Sequence, residues 1–190
     1  MITRKEMTRM LLKEGLLSYL ANNSFESVTV TSLCKASGIT RSIFYLHYSN
    51  IMEIVDDLVD DAIAYSKPGM VDNNNLQTIA QTLSAASDSV SLREAYDSIF
   101  DRLPLCQRII RHKKYLPLFL DEQISEYVLQ RIIGSEKDRQ GLVMAEALGI
   151  SFDVGVSVFV FLVHGLYAVN KQYKWSQSDE WLEAQKVIFE

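Results

Sequence analysis

Along most of the chain, apolar residues return every three or four positions, the period of a helix with one buried face. Leu12, Leu16, Tyr19 and Leu20 make the first such stripe, on a helix expected over 4–22, with Thr3 and Glu6 spaced as a capping box at its start. Asn22-Asn23-Ser24 breaks that helix, and Phe25 is an apolar anchor in the connection. A short helix then runs from about Thr31 to Ser37 and stops at Gly38, where a helix C-terminus wants a residue free to adopt positive φ. Ile39 buries the turn, Thr40 caps the next helix, and that helix covers 41–47. Asn50 caps a longer one to about Ser66, with Ile51, Ile54, Val55, Leu58 and Ile63 inward and Asp56, Asp57, Asp60 and Asp61 outward.

Lys67-Pro68-Gly69 and Asp72-Asn73-Asn74-Asn75 mark the clearest joint. Beyond it the pattern predicts helices at roughly 75–88, 91–103, 104–112, 117–133, 137–148, 151–173 and 178–189, with Pro104 and Pro117 where helices restart. With 8 Gly and 3 Pro in 190 residues, and no internal repeat, the expected fold class is all-α. The opening residues lead into a charged amphipathic segment rather than a secretory leader. Cys34 and Cys106 form no framework, so a reducing, cytoplasmic setting is expected.

The net charge of −5 hides an asymmetry. Residues 1–50 carry Arg4, Lys5, Arg9, Lys13, Lys35 and Arg41 against Glu6, Glu14 and Glu26, a balance of +3. Residues 51–100 balance at −7 and the remainder at −1. A basic head on an acidic body suits a protein that meets phosphate at one end, although +3 over 50 residues is also within ordinary scatter.

Two short helices about a tight Gly turn have the spacing of a helix-turn-helix, here over about residues 30–49. Leu33, Ile39 and Phe44 can meet in a miniature core, leaving Arg41, Ser42 and Tyr45 (i, i+1, i+4) on the opposite side, a shape that fits the major groove. A helical hairpin with no DNA role has the same spacing. The run Phe25-Glu26-Ser27-Val28-Thr29-Val30, then Leu33-Cys34, then Ser37-Gly38-Ile39-Thr40-Arg41-Ser42-Ile43-Phe44-Tyr45-Leu46-His47-Tyr48, resembles the tetracycline-repressor (TetR) family over about residues 5–60.

That resemblance implies a three-helix DNA-binding domain at 1–50, a connecting helix at 51–66, and a helical ligand-sensing and dimerisation domain at 67–190. It implies that Thr29 holds a phosphate, that Arg41 and Ser42 approach base edges, and that Tyr45 and His47 contact the backbone. The family's usual Lys three residues after the aromatic is Ile51 here, and Ser24 replaces a frequent glycine. Ile43 stands where a small hydroxyl residue is common and Leu46 where a polar or aromatic contact is frequent, and either Ile43 or Leu46 offers instead a contact to thymine methyls.

In the second half, residues 154–170 carry no formal charge. Seventeen residues interrupted by Gly155, Ser157, His164 and Gly165 fall short of a comfortable membrane span, so a buried helix at a subunit interface is expected, and no membrane partner. Proteins this chain resembles pair two such helices per subunit in an isologous four-helix bundle. The expected interface is Val158, Leu162, Gly165, Trp181, Gln185 and Ile188, with Trp175 plugging the joint. Tyr96, Phe100, Ile109, Phe119, Tyr127, Met144, Phe159, Leu162 and His164 are candidates for an apolar ligand pocket, though aromatics and Met at helical spacing are more often core. Arg108, Arg111, His112, Lys113 and Lys114 read as a solvated, basic helix end.

No dinucleotide, P-loop, zinc-protease or nucleophile-elbow motif is present, and His47, His112 and His164 are scattered, so the expectation is no enzyme, no metal and no cofactor. The function expected is a regulator that binds double-stranded operator DNA as a homodimer, a repressor released by a small, largely apolar effector. The alternative is a regulator of the same fold that acts through a protein partner, its DNA contacts weakened at Leu46 and Ile51.

Overall fold

Helix is the only regular structure among the described residues, 3–67 and 76–189 of this computed structural model. Eleven α-helices follow in order: α1 (Arg4–Leu20), α2 (Val30–Ser37), α3 (Arg41–Tyr45), α4 (Met52–Ser66), α5 (Leu76–Ser84), α6 (Ser89–Ser98), α7 (Leu105–Arg111), α8 (Leu116–Leu120), α9 (Ser125–Leu148), α10 (Phe152–Gln172) and α11 (Asp179–Phe189). Apart from Lys67, the expected joint at 67–75 lies outside the described residues.

Packing groups these helices into two units, one of Met1–Tyr65 with His112–Arg131, the other of Ser66–Arg111 with Ile132–Glu190. The line therefore does not follow the sequence cuts at 50 and 66. Residues 112–131 belong with the N-terminal helices because their side chains pair with α1 and α4. Phe119, Val128 and Leu129 are buried, Lys114 meets Glu14 at 2.5 Å, and Arg131 meets Asp60 at 2.7 Å.

In the first unit, the Thr3–Glu6 capping box starts α1: the Glu6 N–H donates to Thr3 Oγ1 (3.2 Å) and the Thr3 N–H to Glu6 Oε2 (2.7 Å). Leu12, Leu16 and Leu20 are buried as the stripe requires. Leu17 joins them, whereas Tyr19 is half-buried and turns its hydroxyl to the Ser27 carbonyl (3.1 Å). The helices expected at 117–133 and 137–148 are divided elsewhere. Asp121 Oδ1 accepts the N–H groups of Gln123 and Ile124 and stops the chain there. α9 then runs unbroken through Gly134, whose missing side chain faces open space.

The core of the second unit gathers Ile79, Leu83, Leu92, Tyr96, Ile99, Leu103, Trp181 and Leu182. Two sets of polar groups lie in this core. Tyr96 donates to Gln107, the Gln107 amide donates to Gln185 Oε1 (2.8 Å), and Trp181 Nε1–H donates to Asn170 Oδ1 (2.7 Å). α9 and α10 cross closely in this unit, since a Cβ on Gly155 would lie 2.3 Å from the Gly141 carbonyl oxygen. Glycine at 155 is thus a steric requirement of that crossing.

Candidate nucleic-acid interface

The pair α2–α3 is built from local signals. Thr29 caps α2, its Oγ1 accepting the Ser32 N–H (3.0 Å) while Ser32 Oγ accepts the Thr29 N–H (2.9 Å). Gly38 ends α2 at φ 66°, and the Ile39 N–H returns to the Cys34 carbonyl (2.9 Å). Thr40 then caps α3 through the Ile43 N–H (3.4 Å). Leu33 and Phe44 are wholly buried and Ile39 is half-buried.

With Phe44 turned inward, the opposite face of α3 is open. Arg41, Ser42, Tyr45 and Leu46 are all exposed, Ile43 and His47 half-buried, and Thr29 exposed at the start of α2. The structure thus brings Arg41, Ser42 and Tyr45 together as the spacing indicated, and Leu46, also expected among the contacts, is 78% exposed beside them. His47 stands at its margin, its Nδ1 buried without a hydrogen-bond partner among the described residues.

What fixes this face was not visible in the sequence. Tyr48, three residues past α3, is buried and donates its hydroxyl to Asp57 Oδ2 on α4 (2.6 Å). Arg9 of α1 forms an ion pair with the same carboxylate, Nε donating at 3.0 Å, and lies 5.0 Å over the Tyr48 ring. One carboxylate therefore ties α1, α4 and the chain leaving α3. Burial works to raise the Asp57 pKa, but the Tyr48 hydroxyl and the Arg9 guanidinium outweigh it and hold the carboxyl below its ordinary value. Burial and the neighbouring carboxylate push the Tyr48 phenol up.

The four aspartates of α4, expected outward, form two rows. Asp57 and Asp61 meet Arg9 and Lys13 of α1; Asp56 and Asp60 meet Tyr127 and Arg131 of α9, Tyr127 donating to Asp56 at 2.5 Å. Every row has i, i+4 spacing, so each pairs along one helix face. Two of the six cations in the basic head are thereby engaged within the protein, and Arg4, Lys5, Lys35 and Arg41 are the exposed ones.

The residues expected to line a ligand pocket are divided between the two units. Phe119 and Tyr127 belong to the first unit, the one buried in its core and the other bonded to Asp56. In the second unit Ile109 is core, His164 is half-buried, and Phe100 lies beneath Arg111, 4.5 Å from its ring centroid. Tyr96 is bonded to Gln107. Met144, Phe159 and Leu162 do share a void, but of about 20 Å³, room for a single water.

The expected interface residues also divide. Trp181 (3% exposed) and Gln185 (0%) are corrected to the subunit interior, because their polar groups bond Asn170 and Gln107. Gly165 and Ile188 are exposed, Val158 and Leu162 half-buried. Phe161, absent from the sequence reading, is 76% exposed between them, with Val154 about two turns before it. α10 is the one helix among the described residues long and apolar enough to cross a membrane, with mean hydropathy 1.9 over its most apolar stretch, yet only 28% of that stretch is buried.

Arg108 and Arg111, in the last turn of α7, face Asp101 (3.6 Å) and Asp97 (3.0 Å); His112 meets the Tyr65 ring edge-on. Cys34 and Cys106 are free and buried, and burial pushes the Cys106 thiol up to about 12, leaving it little thiolate character. Compared with known protein families and curated proteins, the chain matches no family model and no curated sequence.

Proposed function

We propose that the chain is a DNA-binding transcriptional regulator of the TetR type that acts as a homodimer, with α2–α3 as its helix-turn-helix. The observation that carries this reading is the outward face of α3, where Arg41, Ser42 and Tyr45 stand exposed on a helix whose other side is anchored by Phe44. A short helix so presented fits the major groove, and an exposed guanidinium matches guanine O6 and N7. The exposed Thr29 and Tyr45 hydroxyls suit phosphate oxygens, which position the helix without reading sequence.

Dimerisation is supported by α10. One of its faces packs into the second unit through Gly155, Phe159, Val163 and Leu166, while Val154 and Phe161 on another are exposed. A second copy would cover that apolar stripe and set two recognition helices for a two-fold operator. The regulatory input is a separate matter. In the second unit a void of about 20 Å³ gives a drug-sized apolar ligand no standing seat there, which favours control by a protein partner or by a ligand that opens its own pocket at a cost in affinity.

The test is to enrich duplexes from a randomised DNA pool on the intact protein and measure affinity for the winner. Arg41→Ala should weaken binding by about ten- to a hundred-fold and relax preference at one base pair per half-site. Unchanged affinity and preference would remove Arg41 from the reading face.

A further inference from the structure

We propose that Leu46 is a specificity residue that reads thymine, packing against the 5-methyl group in the major groove at the end of α3; this rests on the DNA-binding reading above. Leu46 is the most exposed large apolar side chain among the described residues, at 78%. Isolated exposed leucines are common on protein surfaces, so position decides the matter. The buried apolar residues of α2 and α3, Leu33 and Phe44, are fully covered, whereas Leu46 stands in the row of exposed polar groups.

Its backbone keeps the helical trend of α3, with φ −76° and ψ −16°, and its N–H reaches the Ile43 carbonyl at 3.2 Å. Ser42 and Leu46 are therefore i, i+4 neighbours on one face, beside the parallel row Arg41 and Tyr45. Four residues of helix rise about 6 Å. That is roughly two base-pair steps at about 3.4 Å each. Ser42 and Leu46 thus address base pairs about two steps apart. The base edges in that groove are polar except for the thymine methyl, the one group that gains from leucine. Ile43, half-buried and in neither row, is the lesser candidate.

The experiment replaces each thymine of the enriched duplex by deoxyuridine, which removes the methyl and keeps every hydrogen-bonding group. Wild-type protein should lose about four-fold in affinity at one position per half-site, the worth of a methyl group taken out of water. Leu46→Ala should bind both duplexes alike, and Leu46→Met should keep the discrimination. Equal wild-type binding to every thymine and deoxyuridine duplex overturns the proposal, as does a Leu46→Ala protein as methyl-sensitive as the wild type. If no sequence is enriched from the pool, the DNA-binding reading fails and the thymine contact with it.

Discussion

If α10 pairs two copies as proposed, Phe161→Asp should yield monomers without unfolding the chain. Phe161 is 76% exposed in the single chain, so the substitution removes nothing from its core. In the proposed dimer the same position would be covered, and a carboxylate there would be stripped of water without a partner. A cost of about 3 kcal/mol raises the dissociation constant by roughly a hundred-fold. Sedimentation velocity at micromolar concentration should show monomer for the variant and dimer for the wild type, with the same thermal midpoint when both are measured as monomers. Operator affinity should fall with it, because two linked half-sites become independent. A wild-type monomer, or a variant as dimeric as its parent, would contradict the role given to α10.

Asp57→Ala should be the most damaging single charge removal in the first unit. It leaves the buried Tyr48 hydroxyl without its acceptor and Arg9 without its ion pair. The site is partly open to solvent, which screens the loss, so we expect about 2 kcal/mol in urea unfolding at pH 7. Asp61→Ala removes the neighbouring pair, whose carboxylate is 45% exposed, and should change stability little. The folded-state carboxyl of Asp57 is held below its unfolded value. Its stabilisation is therefore complete above the unfolded carboxylate range, about pH 4, and is lost as pH falls through the lower folded value. The difference between wild type and Asp57→Ala should accordingly be flat from pH 7 to about 5 and shrink below about 4. A difference that grows on acidification would show that Asp57 is not ionised in the folded chain.

The elements that could be read from sequence are those set by local signals. The Thr3–Glu6 box, the Thr29 and Thr40 caps and the positive φ of Gly38 are each decided by a few adjacent residues, and α1 to α3 follow them closely. Arg41, Ser42 and Tyr45 were legible as a face for the same reason, since helical spacing alone separates them from Phe44. The aspartates of α4 were not. Four carboxylates on a helix read as a solvated side, and only the i, i+4 rows of Arg9/Lys13 and Tyr127/Arg131, the latter some 70 residues away, reveal them as partners. Trp181 and Gln185 were assigned to the subunit interface because an amphipathic terminal helix offers two apolar edges. Burial of their polar groups against Asn170 and Gln107 chose the inner one. The pocket candidates were ambiguous on a different ground. Aromatics and Met at helical spacing look the same whether they line a cavity or fill a core, and here Tyr96, Ile109 and Phe119 fill it.

Hydroxyl-radical footprinting of the intact protein on its enriched duplex tests the central claim most directly. A dimer that inserts α3 of each copy into the major groove should protect two patches related by a two-fold axis, with centres one helical turn or a multiple apart, about 34 Å per turn. A single asymmetric patch, or uniform protection that vanishes as salt is raised, would contradict it.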